Sequence, residues 1–494
     1  MEENELIRVR KEKLFKMRES GFDPFAIDHF YKDKLTADIW KEYEYLKPDE
    51  VADKEVRIAG RLVSFRRHGR AAFGHVMDDA GKVQVYFQEN KLGKERYEFL
   101  KKMVDIGDIL GIWGNVFRTK TGEITVWAEG FQLLTKAIRP LPEKWHGLKD
   151  IEIRYRQRYV DLVVNPQTKD VFLKRSKIIT LLREYMNSHG FIEVETPILH
   201  PIPGGANARP FVTHLNALDH DFYLRIAPEL YLKRLLVGSF EKVYEIGKDF
   251  RNEGMDIKHN PEFTAMEFYW AYVNYEDVMK FTEDLLCYVV KGVTGSLEIE
   301  YQGSKIDFTP PWRRLPMIDA VKEYAGVDFR EIHNLEEALE RAKSSGIEIE
   351  AGEVENVDEV MVKFFEEKVE DKLIQPTFVI GYPVAVSPLA KRNPDNPEIT
   401  NRFELYINGD EIVNAFSELN DPLDQRERFE KQAAKRAKGD EEAHAMDEDF
   451  VRALEYGMPP AGGWGLGVDR LVMLLTNSRS IRDVILFPLL KPEK

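Results

Sequence analysis

Three short stretches of this 494-residue chain concentrate the residue types that handle charge. The first is FRNEG at 250–254, followed by HNPEF at 259–263. Arg251 follows the apolar run KVYEIGKDF and precedes a glycine turn, so a rigid strand end presents its guanidinium, a planar fork that can grip a phosphate through two hydrogen bonds. Glu253 faces the same way if the strand continues. His259 and Asn260 follow in a polar loop, then Phe263. Arg251 alone reads equally as half of a structural salt bridge; the crowding of polar types between two apolar strands is what favours a site. The second stretch, RFELYINGDEIVNAFSELND at 402–421, reads as a hairpin turned by NGD at 408–410. It sets Glu404 and Glu411 facing across the turn, an oxygen-only pair suited to Mg2+, and alternates Asn414, Phe416 and Glu418 along the return strand. Acidic hairpins also serve as plain solvent faces, but Glu411 leads directly into the apolar IVNAF, which points to a half-buried strand. The third is GGWGLGVDRLVMLLTN at 462–477, where glycines let the backbone approach a ligand. Arg470 then sits at the start of an apolar helix, a place that favours an anion and is awkward for an arginine that serves none.

Other sources of chemistry are missing. There is no GxxxxGK[ST] loop and no GxGxxG after a strand, so a nucleotide would have to be gripped in another way. No Ser-His-Asp or Cys-His arrangement is apparent. The single cysteine, Cys287 in LLCYVV, has no zinc-site companions and reads as a buried core thiol.

The elements that would position these residues form two blocks. Residues 5–20 predict a helix stopped by Gly21, and a second helical stretch covers about 31–46; together, residues 1–54 read as a helical extension. From 55 to about 136 come five β-rich runs: VRIAGRLVSFRR, AAFGHVMDD, KVQVYF, ILGIWGNVFRT and EITVWAEGFQLL. A helical segment, KERYEFLKKM, lies between the third and fourth. This pattern predicts a small closed barrel of the OB type, a frequent binder of single-stranded nucleic acid. A connector, RPLPEKWHGLKD, closes the block near residue 150. Residues 151–494 are mixed, with helices expected near 170–189 and 275–291, a charged helical insertion near 331–375, and a charged helical stretch from 422 to 456.

With 43% apolar and 32% charged residues the composition is that of a soluble globular protein of two or three domains. No apolar run is long enough to span a membrane and the N-terminus lacks a secretory h-region, so a cytoplasmic location is expected. The net charge of -15 argues against a non-specific nucleic-acid coat but allows local basic faces, which residues 8–18 and 57–70 offer.

Taken together, the three charged stretches resemble the signatures of the class II aminoacyl-tRNA synthetases. FIEVETPIL at 191–199 resembles the first family motif, which builds a dimer interface; FRNEG with HNPEF resembles the second, and GLGVDR at 465–470 the third. GGANARPF at 204–211, YLRIAPELYLKRLLVG at 223–238, HNPEFTAMEFYWAYVNYED at 259–277 and NAFSELNDPLDQ at 414–425 are similar to the lysine-specific branch, and the likeness covers nearly the whole chain. The resemblance implies an α+β protein: an N-terminal OB-fold barrel that reads the anticodon, then a large catalytic domain built on an antiparallel sheet flanked by helices. It implies a homodimer acting on ATP, L-lysine and tRNA(Lys), with Mg2+ as cofactor. By the same likeness, Arg251 and Arg470 would be catalytic and would hold ATP together with Glu253, His259, Asn260, Phe263 and Glu404. Glu404 and Glu411 would carry the metal. Gly205, Glu229, Glu267, Tyr269, Asn414, Phe416 and Glu418 would line the lysine pocket, and Arg61, Phe73 and Gln84 would read the anticodon. Trp464 departs from the family, whose members usually carry a smaller residue there. The rival readings are an aspartate- or asparagine-specific synthetase, a ligase that lysylates a translation factor, and a non-catalytic nucleic-acid-binding protein. Two glutamates facing an ammonium attract it, whereas facing a substrate carboxylate they would repel it.

Overall fold

Along residues 51–135 apolar side chains alternate, and every second one points into a common core: Val56 and Ile58, Val83 and Val85, Ile124 and Val126 are all buried. The computed structural model describes residues 4–142, 148–350, 352–440 and 442–493. It divides into two units, Met1–Lys149 and Asp150–Lys494. In the first, strands β1 (Val51–His68), β2 (Ala71–Met77), β3 (Lys82–Gln88), β4 (Ile109–Arg118) and β5 (Ile124–Thr135) close into a barrel in the order β1-β2-β3-β5-β4. The expected helix between β3 and β4 is present at Lys94–Met103. The expected 1–54 extension is shorter than predicted, because β1 begins at Val51 and the second helix covers only Thr36–Tyr43. Nor does it stand apart: Met17 on helix α1 (Glu5–Glu19), with Ile39, Tyr43 and Leu46, belongs to the core of the barrel. Arg10 on α1 is buried, and its guanidinium donates to the carbonyls of Ala137 (3.0 Å), Arg139 (3.2 Å) and Ile106 (2.9 Å). Lys13 pairs with Asp105 and Arg18 with Asp23, so half of the basic groups in 8–18 have structural partners. Residues 143–147 of the connector lie outside the described residues.

The second unit is built on an eight-stranded sheet. Its order is Arg313–Pro316, Thr377–Ile380, Arg402–Ile407, Asp410–Ser417, Ala461–Gly467, Glu262–Ala271, Lys242–Phe250, Ile192–Glu193. The six inner strands run antiparallel, as expected, but both outermost strands join in parallel, so the sheet is mixed. Parallel neighbours need long crossovers. Here they are the helix-bearing segments between residues 193 and 242 and between 316 and 377. Helices Pro166–Ser188 and Tyr275–Thr294 bury Ile178, Leu182, Leu285 and Val289 in one cluster with Phe268 and Leu466 of the sheet. Trp464 lies in this cluster, stacked on Phe268 with ring centroids 4.9 Å apart. Cys287 is half-buried at its edge, donating to the Phe308 carbonyl. The expected insertion is wider than 331–375: helices Met317–Ala325, Leu335–Ser344 and Val357–Lys368 share a separate core that reaches the sheet at Val379 and Tyr406. The stretch 422–456 supplies helices Pro422–Ala437 and Glu448–Glu455. They pack Phe429, Phe450 and Leu454 behind helix Glu229–Val237. Among the described residues no helix is long and apolar enough to cross a membrane.

Candidate active site

Two cross-strand rows form the floor of a cavity of about 460 Å³ in the second unit. The register aligns Glu267, Gly465, Asn414 and Glu404 in one row, and Tyr269, Gly463, Phe416 and Arg402 in the next. Paired residues on neighbouring strands share a face, so each row presents its side chains to one side. A glycine occupies the same strand in both rows, which leaves a trough between the flanking side chains.

The hairpin that supplies half of each row is turned by Asn408 and Gly409, both with positive φ (53° and 76°). That is the two-residue turn whose twist suits a hairpin. It places Glu411 opposite Tyr406, not opposite Glu404 as expected. Glu404 pairs instead with Asn414, and Ile412 is left unpaired as a bulge. The extra residue matters: by strict alternation Glu411 and Asn414 would face opposite ways, and the bulge brings both into the cavity. Glu404 accepts from the hydroxyls of Tyr382 (2.7 Å) and Tyr406 (2.6 Å) and from Arg402 (2.5 Å). Burial and the neighbouring Glu404 carboxylate raise Glu411 above the ordinary carboxylate range. Among the described residues no group of three or more His, Cys, Asp and Glu is arranged as a metal site.

One end of the cavity is cationic. Arg251 lies just past its strand, which ends at Phe250, so Glu253 shares the cavity through a loop rather than by strand alternation. The Arg251 guanidinium stands over the Phe263 ring at 5.1 Å and has no ion-pair partner among the described residues. Arg470, in the first turn of helix Val468–Thr476, donates to the Glu411 carbonyl (2.6 Å) and contacts His259 Nε2 (3.2 Å). Asn260 is buried, with its amide nitrogen bonded to the Glu262 carbonyl and its Oδ1 lacking a donor. Asp469 plays a different part: it receives Arg175 and the Thr264 backbone N–H (2.7 Å), tying three elements together behind the site.

The other end is acidic. Glu267 has a single direct partner, the Tyr269 hydroxyl at 3.0 Å. Burial and the nearby charges of Glu229 and Asp249 hold its carboxyl well above the ordinary range. Glu229 opens helix Glu229–Val237 beside Gly205, where an added Cβ would sit 3.2 Å from the Glu229 Cβ. Glu418 does not line the cavity; it lies one layer behind Gly463, almost completely buried. Sequence reasoning missed Lys233, which is fully buried and pairs with both Glu229 (2.5 Å) and Glu418. Its signal was present locally: Lys233 stands four residues after Glu229, the spacing that stacks side chains on a helix. Arg402, which donates to Asn414 Oδ1 (3.1 Å) as well as to Glu404, and the buried cavity residue His444 were also missed. Burial drives the His444 imidazole down to about 4.

On the barrel, Phe73 pairs in register with Tyr86 and His75 with Gln84, on one outer face. Phe73 stacks on Tyr86 at 4.6 Å, and the cluster continues through Trp127 and Phe117. Gln84 donates to Glu123 (2.8 Å) and accepts from Thr125 (2.9 Å). Arg61 is not brought to this cluster. It pairs with Met77, four residues along β2, and its guanidinium is tied to the Gly107 carbonyl at 2.8 Å. The arginine paired in register with Phe73 is Arg66.

Comparison with known proteins agrees with both units. Residues 150–491 match the family described as tRNA synthetases class II (D, K and N), and residues 56–134 match the OB-fold nucleic acid binding domain. The chain belongs to the class II tRNA synthetases. It is similar along nearly its whole length to proteins named lysine–tRNA ligase. The one from Syntrophomonas wolfei is 58% identical over 489 residues, covering 99% of this chain and 97% of the relative. The one from Carboxydothermus hydrogenoformans is 56% identical over 489 residues (99% and 98%), and that from Bacillus subtilis 53% over 487 (98% and 97%).

Proposed function

We propose that this protein is a lysine–tRNA ligase: it activates L-lysine with ATP, releases pyrophosphate, and passes lysine to the 3′ end of tRNA(Lys). The carrying observation is the charge balance at the acidic end of the cavity, where Glu229, Glu267 and Glu418 face one internal cation, Lys233. An excess of buried carboxylate attracts an ammonium and rejects an acidic side chain. This disfavours aspartate as substrate, and a neutral asparagine would leave that charge uncompensated. The OB barrel at 56–134 favours tRNA over a translation-factor substrate.

In the first step the lysine carboxylate oxygen attacks the α-phosphorus of ATP and the bond to the pyrophosphate oxygen breaks. Arg251, free of an ion pair, holds charge developing on the α-phosphate, and Arg470 holds the distal phosphates beside His259. Phe263 offers its ring to adenine. Asn260 and Glu253 bind the nucleotide, the former through its unsatisfied Oδ1. Tyr269, Asn414, Phe416 and Gly205 shape the amino-acid pocket. In the second step the terminal ribose hydroxyl attacks the lysyl-adenylate carbonyl and AMP leaves. Positioning and charge neutralisation carry both steps.

Mg2+ fits the chain. Glu404 and Glu411 are oxygen-only donors on one face, and the mutual repulsion that raises Glu411 is what a divalent cation relieves. Bound there, it would neutralise phosphate charge. A second copy of the chain fits the exposed apolar residues Ile192, Ile198 and Leu199, next to the open edge of the Ile192–Glu193 strand, and supports a homodimer. A cytoplasmic site of action follows from the proposed substrate, tRNA.

Pyrophosphate exchange into ATP, measured with lysine, aspartate and asparagine in turn, tests the reading. Exchange with lysine alone is expected. Exchange driven by aspartate or asparagine, and not by lysine, overturns it.

A further inference from the structure

Lys233 is the feature that the activity, as described, does not use. Its ammonium is wholly buried, 2.5 Å from Glu229 and in ion-pair contact with Glu418, and it stands over the Phe416 ring at 5.4 Å. Burial opposes its charge, but the two carboxylates outweigh that and hold it protonated. The contact with Glu418 is not a well-directed hydrogen bond, so both Glu418 oxygens remain buried without a directed donor. His444 faces the same region and is kept neutral, partly by Lys233 itself. Phe450 closes it off at 6.0 Å. Of the three glutamates at this end, only Glu267 has no cation against it.

We infer that Lys233 is a positioning residue of the amino-acid pocket. Its ammonium is a resident counter-ion that keeps Glu229 and Glu418 charged and aimed, and so leaves Glu267 as the carboxylate free for an incoming ammonium. The inference rests on the lysine reading above. Without the resident cation, Glu229 and Glu418 would be two buried carboxylates competing for the same proton and for the same substrate group. The pocket would then bind the ammonium of its substrate in the wrong place. A small alkylammonium ion has the charge and size to refill the vacated position.

The test uses the full-length protein and lysine-dependent pyrophosphate exchange, with KM for lysine and KM for ATP measured separately. Lys233→Ala is expected to raise the lysine KM at least about tenfold with the ATP KM unchanged. Propylammonium chloride is expected to restore part of the loss in the variant and to give the wild type no gain. Because a lone buried charge can prevent folding, the double variant Lys233→Met with Glu418→Met removes the cation and its partner together. It is expected to fold, to show the raised lysine KM, and to gain nothing from propylammonium. An unchanged lysine KM in either folded variant overturns the inference, as does a parallel rise in both KM values without rescue. A wild type that fails to use lysine overturns the functional reading and this inference with it; a wild type that uses lysine beside a variant with unchanged KM overturns this inference alone.

Discussion

At the scale of single residues, the pocket works through carboxylates that are hard to ionise. Glu267 is the sharpest case, since burial and two nearby acids raise it well above the ordinary glutamate range. Below its raised pKa it is protonated and neutral, and attracts no ammonium. As pH rises through that value it ionises and lysine binding strengthens. The lysine KM of the wild type should therefore fall as pH increases and then level off, while the ATP KM follows a different course. Glu267→Gln should flatten the lysine profile at a high KM. A profile for this variant that still falls with pH like the wild type would assign the titration to another group. Glu404 differs: with two tyrosine hydroxyls and Arg402 bonded to it, its position is fixed before any substrate arrives.

At the scale of elements, the strand Ala461–Gly467 makes the pocket by what it lacks. A Cβ at Gly463 would fall 1.8 Å from Glu418 Oε1 and 2.7 Å from the Tyr269 ring. Gly463→Ala should therefore push both groups out of place and raise the lysine KM by at least about tenfold, while the ATP KM stays near its normal value. Equal lysine KM values for variant and wild type would mean the strand shifts to make room. Much of this level was legible in the sequence. The NG dipeptide gives the hairpin because few other residues accept two consecutive positive φ angles, and the apolar period gives the long helices. The bulge at Ile412 was not legible. Strict alternation puts Glu411 and Asn414 on opposite faces, and only the resemblance to a family assigned both to one site. Lys233 was half legible: Glu229 is four residues away in the chain, but Glu418 is brought to it by tertiary packing. Arg61 was misplaced because a run of arginines on one strand does not reveal which member pairs with Phe73. The parallel outer strands were also hidden, since strands of two and four residues carry little periodicity.

At the scale of the whole molecule, the residues proposed for ATP and lysine lie in one unit and those proposed for the anticodon in the other. Phe73→Ala should therefore leave lysine-dependent pyrophosphate exchange intact and impair tRNA charging. Losing one stacking ring is worth roughly 1–3 kcal/mol, or about 10- to 100-fold in charging efficiency. Phe73 is only half-buried, so the melting temperature should change little. Unaltered charging would remove Phe73 from the anticodon surface. The barrel's dependence on its leading helix bears on how this unit could be transplanted. Arg10 satisfies three backbone carbonyls at the far end of the barrel's sequence, and Met17 fills its core. A graft cut at the start of β1 would leave those carbonyls unanswered, at roughly 1–3 kcal/mol for each that stays buried. The smallest cassette that could carry this nucleic-acid-reading surface into another protein thus begins at α1, and a swap designed from strand boundaries alone would deliver a barrel with an open seam.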